Sequence, residues 1–282
     1  MINSELRGIA RRLSDACVSQ AAARAVALTG SVASGIADGA SDIDLIVFHD
    51  ALPPRAMLDA VRGHVGGSPR LYASGVKDGV RFKEGYFAYG VRCDLGHITA
   101  AAFEADMALV LDAHSVDAHA QSRLAGILDC LPLHGSEVIS GLKDRAAIYP
   151  DALARAVVAK YLRFPPFWTL TEMGAGRGEL LHLYAAMVEA ETNILGTLCG
   201  LNRVFLPGEF KHLDRLAASL PRAPPDLAPR LRVVLRQEPK AAAEELGALI
   251  RETFALVTQH MPETDTSGPR RWFDLPRTQD AE

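Results

Sequence analysis

The chain has 282 residues, 49% of them apolar and 23% charged, with a formal net charge of −4. Such a length and apolar content can build one large or two ordinary domains whose cores need no covalent staples. The mild negative charge supplies no global basic field, so nucleic acid is not favoured as a partner.

Ser4 to Val18 spaces Leu6, Ile9, Ala10 and Leu13 along one side and leaves Arg7, Arg11 and Arg12 on the other, which predicts an amphipathic helix covering a sheet. Its charges stand where a signal peptide needs an apolar run, and the chain holds no unbroken run of eighteen apolar residues. A cytoplasmic protein with no membrane partner is expected. A strand runs to Thr29, the Gly30-Ser31 pair turns the chain, and Asp42 to Phe48 forms a second strand. Pro53-Pro54 starts a helix through Met57, Leu58 and Val61, which Gly66-Gly67-Ser68-Pro69 ends. Extended pieces follow at Arg70 to Ala73, Val80 to Lys83 and Tyr86 to Leu95, with Ala108 to Leu111 as the last strand.

From Ala120 onward helical patterns replace strand signals, at Ser136 to Ile148, Ala152 to Phe164, Glu179 to Leu201, Lys211 to Leu220 and Pro239 to His260. Strands first and helices afterwards predict an α+β fold: a mixed-sheet domain over 1–120, a helical bundle over 121–262 and a loop-rich tail over 263–282 in which Trp272-Phe273 docks. Cys17, Cys93, Cys130 and Cys199 have no paired spacing and read as buried, reduced thiols.

The chemistry concentrates in Leu28-Thr29-Gly30-Ser31 and Ser41-Asp42-Ile43-Asp44-Leu45. Residues i and i+2 of a strand share a face, so Asp42 and Asp44 project toward one point and call for a cation. Oxygen ligands there suit Mg²⁺, which combines one or two carboxylates with substrate phosphates. A glycine after an apolar strand lets backbone N–H groups approach an anion, and Ser31 adds a hydroxyl.

On Gly30-Ser31, Asp42-Ile43-Asp44 and the apolar Leu45-Ile46-Val47-Phe48, the chain resembles the nucleotidyltransferase superfamily that includes DNA polymerase beta. Within it, the resemblance is to the two-domain enzymes that adenylylate aminoglycosides and lincosamides. It implies one or two Mg²⁺ ions, ATP or another nucleoside triphosphate as donor, and transfer of the nucleoside monophosphate to a hydroxyl or amine of a small molecule with release of pyrophosphate. It further implies phosphates held by Gly30 and Ser31, metal held by Asp42 and Asp44, and a third carboxylate downstream. Asp94 is the candidate, as metal ligand or general base, while Glu84 and Asp78 sit beside glycines and read as exposed turn residues. Lys211 is implied as a cation reaching the triphosphate, with Arg203 in reserve, and a homodimer is expected. Val32-Ala33-Ser34-Gly35 lacks the basic residue that relatives often carry after Gly-Ser, and Arg92 is assigned to the strand face opposite Asp94, a poor substitute.

Other segments weigh less. Asp112 to His119 alternates carboxylates and imidazoles but reads as a turn and helix cap. Glu189 and Glu191 lie in an otherwise apolar helix and are candidates for holding an acceptor. Phe164-Pro165-Pro166-Phe167-Trp168 is an aromatic kink that could wall its pocket, and Gly174 to Gly178 is a connector without the strand a dinucleotide loop needs. Two other activities compete: an antitoxin-like enzyme that nucleotidylates a protein, and an enzyme of secondary metabolism with the fold repurposed.

Overall fold

The computed structural model describes residues 2–75 and 79–277, so Asp78 and the end of the tail lie outside the described residues. The chain divides into two compact units, Met1–Ala113 with Arg123–Ile148 and His114–Ser122 with Tyr149–Glu282.

In the first unit α1 (Ile2–Ala21) precedes β1 (Ala25–Thr29), α2 (Gly30–Ser34), β2 (Ile43–His49), α3 (Arg55–His64), β3 (Tyr72–Gly75), β4 (Arg81–Ala88) and β5 (Val91–Thr99). Then come α4 (Ala100–Leu111), α5 (Ala118–Asp129), β6 (Leu131–His134) and α6 (Ser136–Ala146). The strands form one sheet in the order β3-β4-β5-β2-β1-β6. β2 and β5 run parallel and the other neighbours antiparallel. Leu6, Ile9, Leu13 and Cys17 of α1 and Leu58 and Val61 of α3 pack with Val26, Leu28, Ile43, Leu45, Val47, Cys93 and Leu95 of the sheet. Period-3.6 and period-2 apolar patterns thus meet in one core, as helix-on-sheet packing requires.

Three expectations are corrected here. Tyr86 to Leu95 is not one strand: Tyr89 and Gly90, both at positive φ, turn β4 into β5. Two consecutive left-handed residues match the twist of a tight hairpin. Ala108 to Leu111 is the last turn of α4, whose start is fixed by the Thr99 hydroxyl accepting the Ala102 N–H at 3.2 Å. A short apolar run fits strand or helix equally, and the alanine-rich stretch before it decides for helix. Strands also do not end before Ala120, since β6 pairs with β1 at the sheet edge. Pro132 in β6 masks the strand signal and is tolerated only at such an edge.

The second unit is helical: α7 (Asp151–Tyr161), a π-helical turn at Thr169–Ala175, α8 (Leu180–Leu201), α9 (Leu213–Ala218), α10 (Leu227–Val234), α11 (Pro239–His260) and α12 (Ser267–Phe273). The connector at Gly174 to Gly178 is therefore partly helical, with Gly174 buried against Leu183. In the expected tail, α12 buries Phe273 among Phe164, Phe167 and Phe254, while Trp272 stays half-exposed. A mixed-sheet N-terminal region and a helical C-terminal region make the chain α+β, as its pattern of strands and helices predicts.

Candidate active site

Gly30 ends β1 and opens α2 with φ +68, the left-handed region that favours glycine. A Cβ at this position would overlap the Asp44 carboxylate, so only glycine lets the backbone come this close to Asp44. The contact follows from register: Thr29 pairs with Asp44 across β1 and β2, and its hydroxyl donates to the Asp44 carbonyl at 3.3 Å. Ser31 sits in the first turn of α2, which Gly35 closes at φ +76.

Asp44 is also the register partner of Asp94 on the parallel strand β5. Asp42, just before β2, completes a group in which one oxygen from each carboxylate lies within 4.8 Å of the others. Three like charges so close favour a cation among them, and an all-oxygen donor set suits a hard divalent ion. The close approach at Gly30, which a Cβ would block, fits the same occupant. The residues present therefore fit Mg²⁺.

Arg92 faces this group. Its Nε lies 3.3 Å from Asp94 Oδ1 and its Nη2 3.2 Å from Oδ2, with the guanidinium half-exposed. The hydrogen bonds and charge of Asp94 hold the Arg92 proton more firmly than usual. The assignment of Arg92 to the opposite face is thus corrected, because residues two apart in a strand share a face.

On the far side of Asp94 the row continues through Gly85, its partner on β4, to Tyr72, the partner of Gly85 on β3. A Cβ on Gly85 would lie 2.7 Å from Asp94 Oδ1 and 2.9 Å from Tyr72 Cζ, so the bare α-carbon is what lets the phenol lie beside the carboxylate. The Tyr72 hydroxyl is buried without a hydrogen bond of ordinary geometry. Burial first, and then the charge of Asp94, push it up to about 12.

The other face of the same strands holds a second polar group. Glu84, expected in an exposed turn, is fully buried in mid-β4. Its Oε1 lies 3.4 Å from His97 Nε2, and its Oε2 pairs with Arg70, which also pairs with Asp59. His97 Nδ1 in turn lies 3.0 Å from His49 Nε2. Burial alone would raise the Glu84 carboxyl, but His97 and Arg70 hold it below its ordinary value. Burial, and then His97, push His49 down to about 4.

In the second unit Lys211 precedes α9 and pairs with Glu209 at 2.6 Å, both exposed. Arg203 pairs with Asp151 at 2.5 Å. Glu189 lines a pocket of about 500 Å³ with Arg163, Phe164, Pro165, Pro166 and Trp272. Glu191 has an oxygen buried without a partner, and burial pushes it up to about 7. In the Asp112 to His119 segment, Asp117 Oδ1 accepts the Ala120 N–H at 2.7 Å, a cap on α5.

The nucleotidyltransferase domain family matches residues 10–90, a span that contains Gly30, Ser31, Asp42, Asp44, Tyr72 and Gly85. Over that span the chain carries a nucleotidyltransferase domain. Its activity class is the transfer of nucleotidyl groups, and Asp94 and Arg92 lie just past the matched span. No curated protein matches the chain. A solved nucleotidyltransferase-like protein from Exiguobacterium sibiricum is similar over 93% of this chain and 79% of its own, at 11% identity and a TM-score of 0.39. That likeness is too slight to carry an assignment. No helix among the described residues is long and apolar enough to cross a membrane.

Tyr72, Gly85 and Arg92 are the site residues that sequence reasoning missed. Strand parity alone would have found Arg92. Tyr72 and Gly85 reach Asp94 only through pairings across three strands, which leave no local trace.

Proposed function

We propose that the chain is a Mg²⁺-dependent nucleotidyltransferase that moves a nucleoside monophosphate, AMP from ATP, to a hydroxyl or amine of a small molecule and releases pyrophosphate. The observation that supports it most is the convergence of Asp42, Asp44 and Asp94 within 4.8 Å beside the close approach at Gly30. When bound, the ion would neutralise triphosphate charge and polarise the reacting phosphoryl group. Asp42 and Asp44 hold it, and Asp94 either joins them or takes the proton of the acceptor. General-base action of that kind contributes about 10²–10⁴-fold. The bond from acceptor oxygen or nitrogen to the α-phosphorus forms as the α–β phosphoanhydride breaks. Gly30 and Ser31 bind the phosphates through backbone N–H and hydroxyl. Lys211 is proposed as a second phosphate-binding cation.

The pocket beside Glu189, within the second unit, has the volume of a small-molecule site. One observation favours a protein acceptor: α8 exposes Leu181, Tyr184 and Val188 at helical spacing, an apolar strip that a partner surface could cover. The deciding experiment is thermal stability of the wild type and Asp44→Asn with each of the four ribonucleoside triphosphates, with and without Mg²⁺. A ligand at 100 times its Kd adds about 2.7 kcal/mol. A Mg²⁺-dependent shift with ATP that disappears in Asp44→Asn is expected. A shift with another nucleotide corrects the donor, and no shift with any overturns the proposal.

A further inference from the structure

Tyr72 is a buried group that the proposed chemistry leaves unused. Among the described residues its buried hydroxyl makes no hydrogen bond of ordinary geometry, although it lies near enough to the Asp94 carboxylate to interact with it. Such an arrangement is uncommon, since buried polar groups nearly always find a partner. The acceptor it would naturally use, Asp94, has both oxygens on Arg92 at 3.2 and 3.3 Å. Those distances are long for bonds between charged groups, which settle nearer 2.7–2.9 Å, so this grip on Asp94 is loose.

We propose that Tyr72 is a positioning residue for Asp94, donating a hydrogen bond from its hydroxyl to the Asp94 carboxylate when Asp94 turns from Arg92 to a divalent ion. This inference rests on the metal-binding role assigned above to the three carboxylates. A carboxylate that ligates an ion through one oxygen needs a donor on the other, and outer partners of that kind orient the ligand and tune its basicity. Tyr72 is built for the task by three features. Its register through Gly85 brings it into the Asp94 row. The missing Cβ of Gly85 opens the space between phenol and carboxylate. Its hydroxyl already lies within reach of the Asp94 carboxylate, with Arg92 beside it. Arg92, half-exposed, is then free to turn toward negative charge on a bound substrate.

The test measures Mn²⁺ binding by titration calorimetry, in the absence of nucleotide, for the wild type, Tyr72→Phe, Asp44→Asn and Tyr86→Phe. Tyr86 is the matched control, because its hydroxyl is also buried without a hydrogen bond of ordinary geometry but belongs to the opposite face of β4. Loss of an outer partner typically weakens metal binding by about 10–100-fold. Tyr72→Phe is expected to show that loss, while Tyr86→Phe binds as the wild type does and Asp44→Asn binds least. Melting in EDTA supplies the second readout: Tyr72→Phe should melt with the wild type, because the hydroxyl it lacks makes no hydrogen bond of ordinary geometry there. Unchanged Mn²⁺ affinity in Tyr72→Phe, or a loss accompanied by lower stability in EDTA, overturns the assignment to Tyr72 while leaving the metal site standing. Absence of Mn²⁺ binding by the wild type overturns both.

Discussion

On β5, Asp94 and His97 belong to opposite faces of the sheet, and what surrounds each differs in kind. Around Asp94 the neighbours are carboxylates, two glycines that bring groups into close approach, a loosely bound arginine and a buried phenol. Around His97 opposite charges are set against one another: His49, Glu84, Arg70 and Asp59 form a chain beneath α1 and α3, with His97 and Glu84 fully buried and 3.4 Å apart, without a hydrogen bond of ordinary geometry between them. A buried polar cluster that serves stability thus differs from one arranged for a ligand. The first sets opposite charges against one another, whereas the second gathers like charges.

The sharpest break of that comparison comes from one substitution on each face. Asp44→Asn should abolish nucleotidyl transfer, measured as pyrophosphate release, with no loss of unfolding free energy, because relief of like-charge repulsion offsets any lost contact. Glu84→Gln should do the reverse. It leaves the Arg70 guanidinium, only a tenth exposed, without its buried partner, and unfolding in urea should register a cost of about 3 kcal/mol with Mn²⁺ affinity unchanged. Equal effects of the two variants on stability would erase the distinction between the faces.

Acid should probe the covered face next. His49 has its pKa lowered from 6.5 to about 4, so the unfolded chain binds the proton more readily across that interval. Its contribution is fully present above pH 6.5 and drains away as pH falls toward 4, by at most about 3 kcal/mol. His49→Leu should flatten the slope of stability against pH between those limits, and an unaltered slope places the titration elsewhere. The smallest effect belongs to Gly30→Ala. Positive φ and overlap with Asp44 should lower stability by about 1 kcal/mol or somewhat more and weaken Mn²⁺ binding, both read in the same calorimeter. A variant with wild-type binding would show that the close approach at Gly30 is incidental to the site.

Much of the site was legible locally. Asp42 and Asp44 share a face by the period of a strand, and Gly30-Ser31 follows an apolar strand at the point where the chain must turn. Asp94 was reached through the family resemblance, and register then placed it opposite Asp44. Glu84 was misjudged because a neighbouring glycine usually marks a turn. Here Gly85 is a strand residue whose missing side chain makes room for Tyr72 and Asp94. The strand expected at Ala108 to Leu111 failed for another reason: four apolar residues carry no period, and the Thr99 cap that commits them to a helix lies several residues upstream.

Local sequence patterns specify the class of fold, the apolar faces of α1 and α3, and a pair of carboxylates that could hold a metal ion. These depend on periods of two and 3.6 residues and on side-chain chemistry, all of which are local. Tertiary packing lays β5 parallel to β2 so that Asp94 meets Asp44, brings Arg92 onto Asp94 and carries Tyr72 to the same carboxylate over Gly85. Strand order and register are set by the burial of whole faces against α1 and α3, a property of the assembled sheet that no short segment encodes.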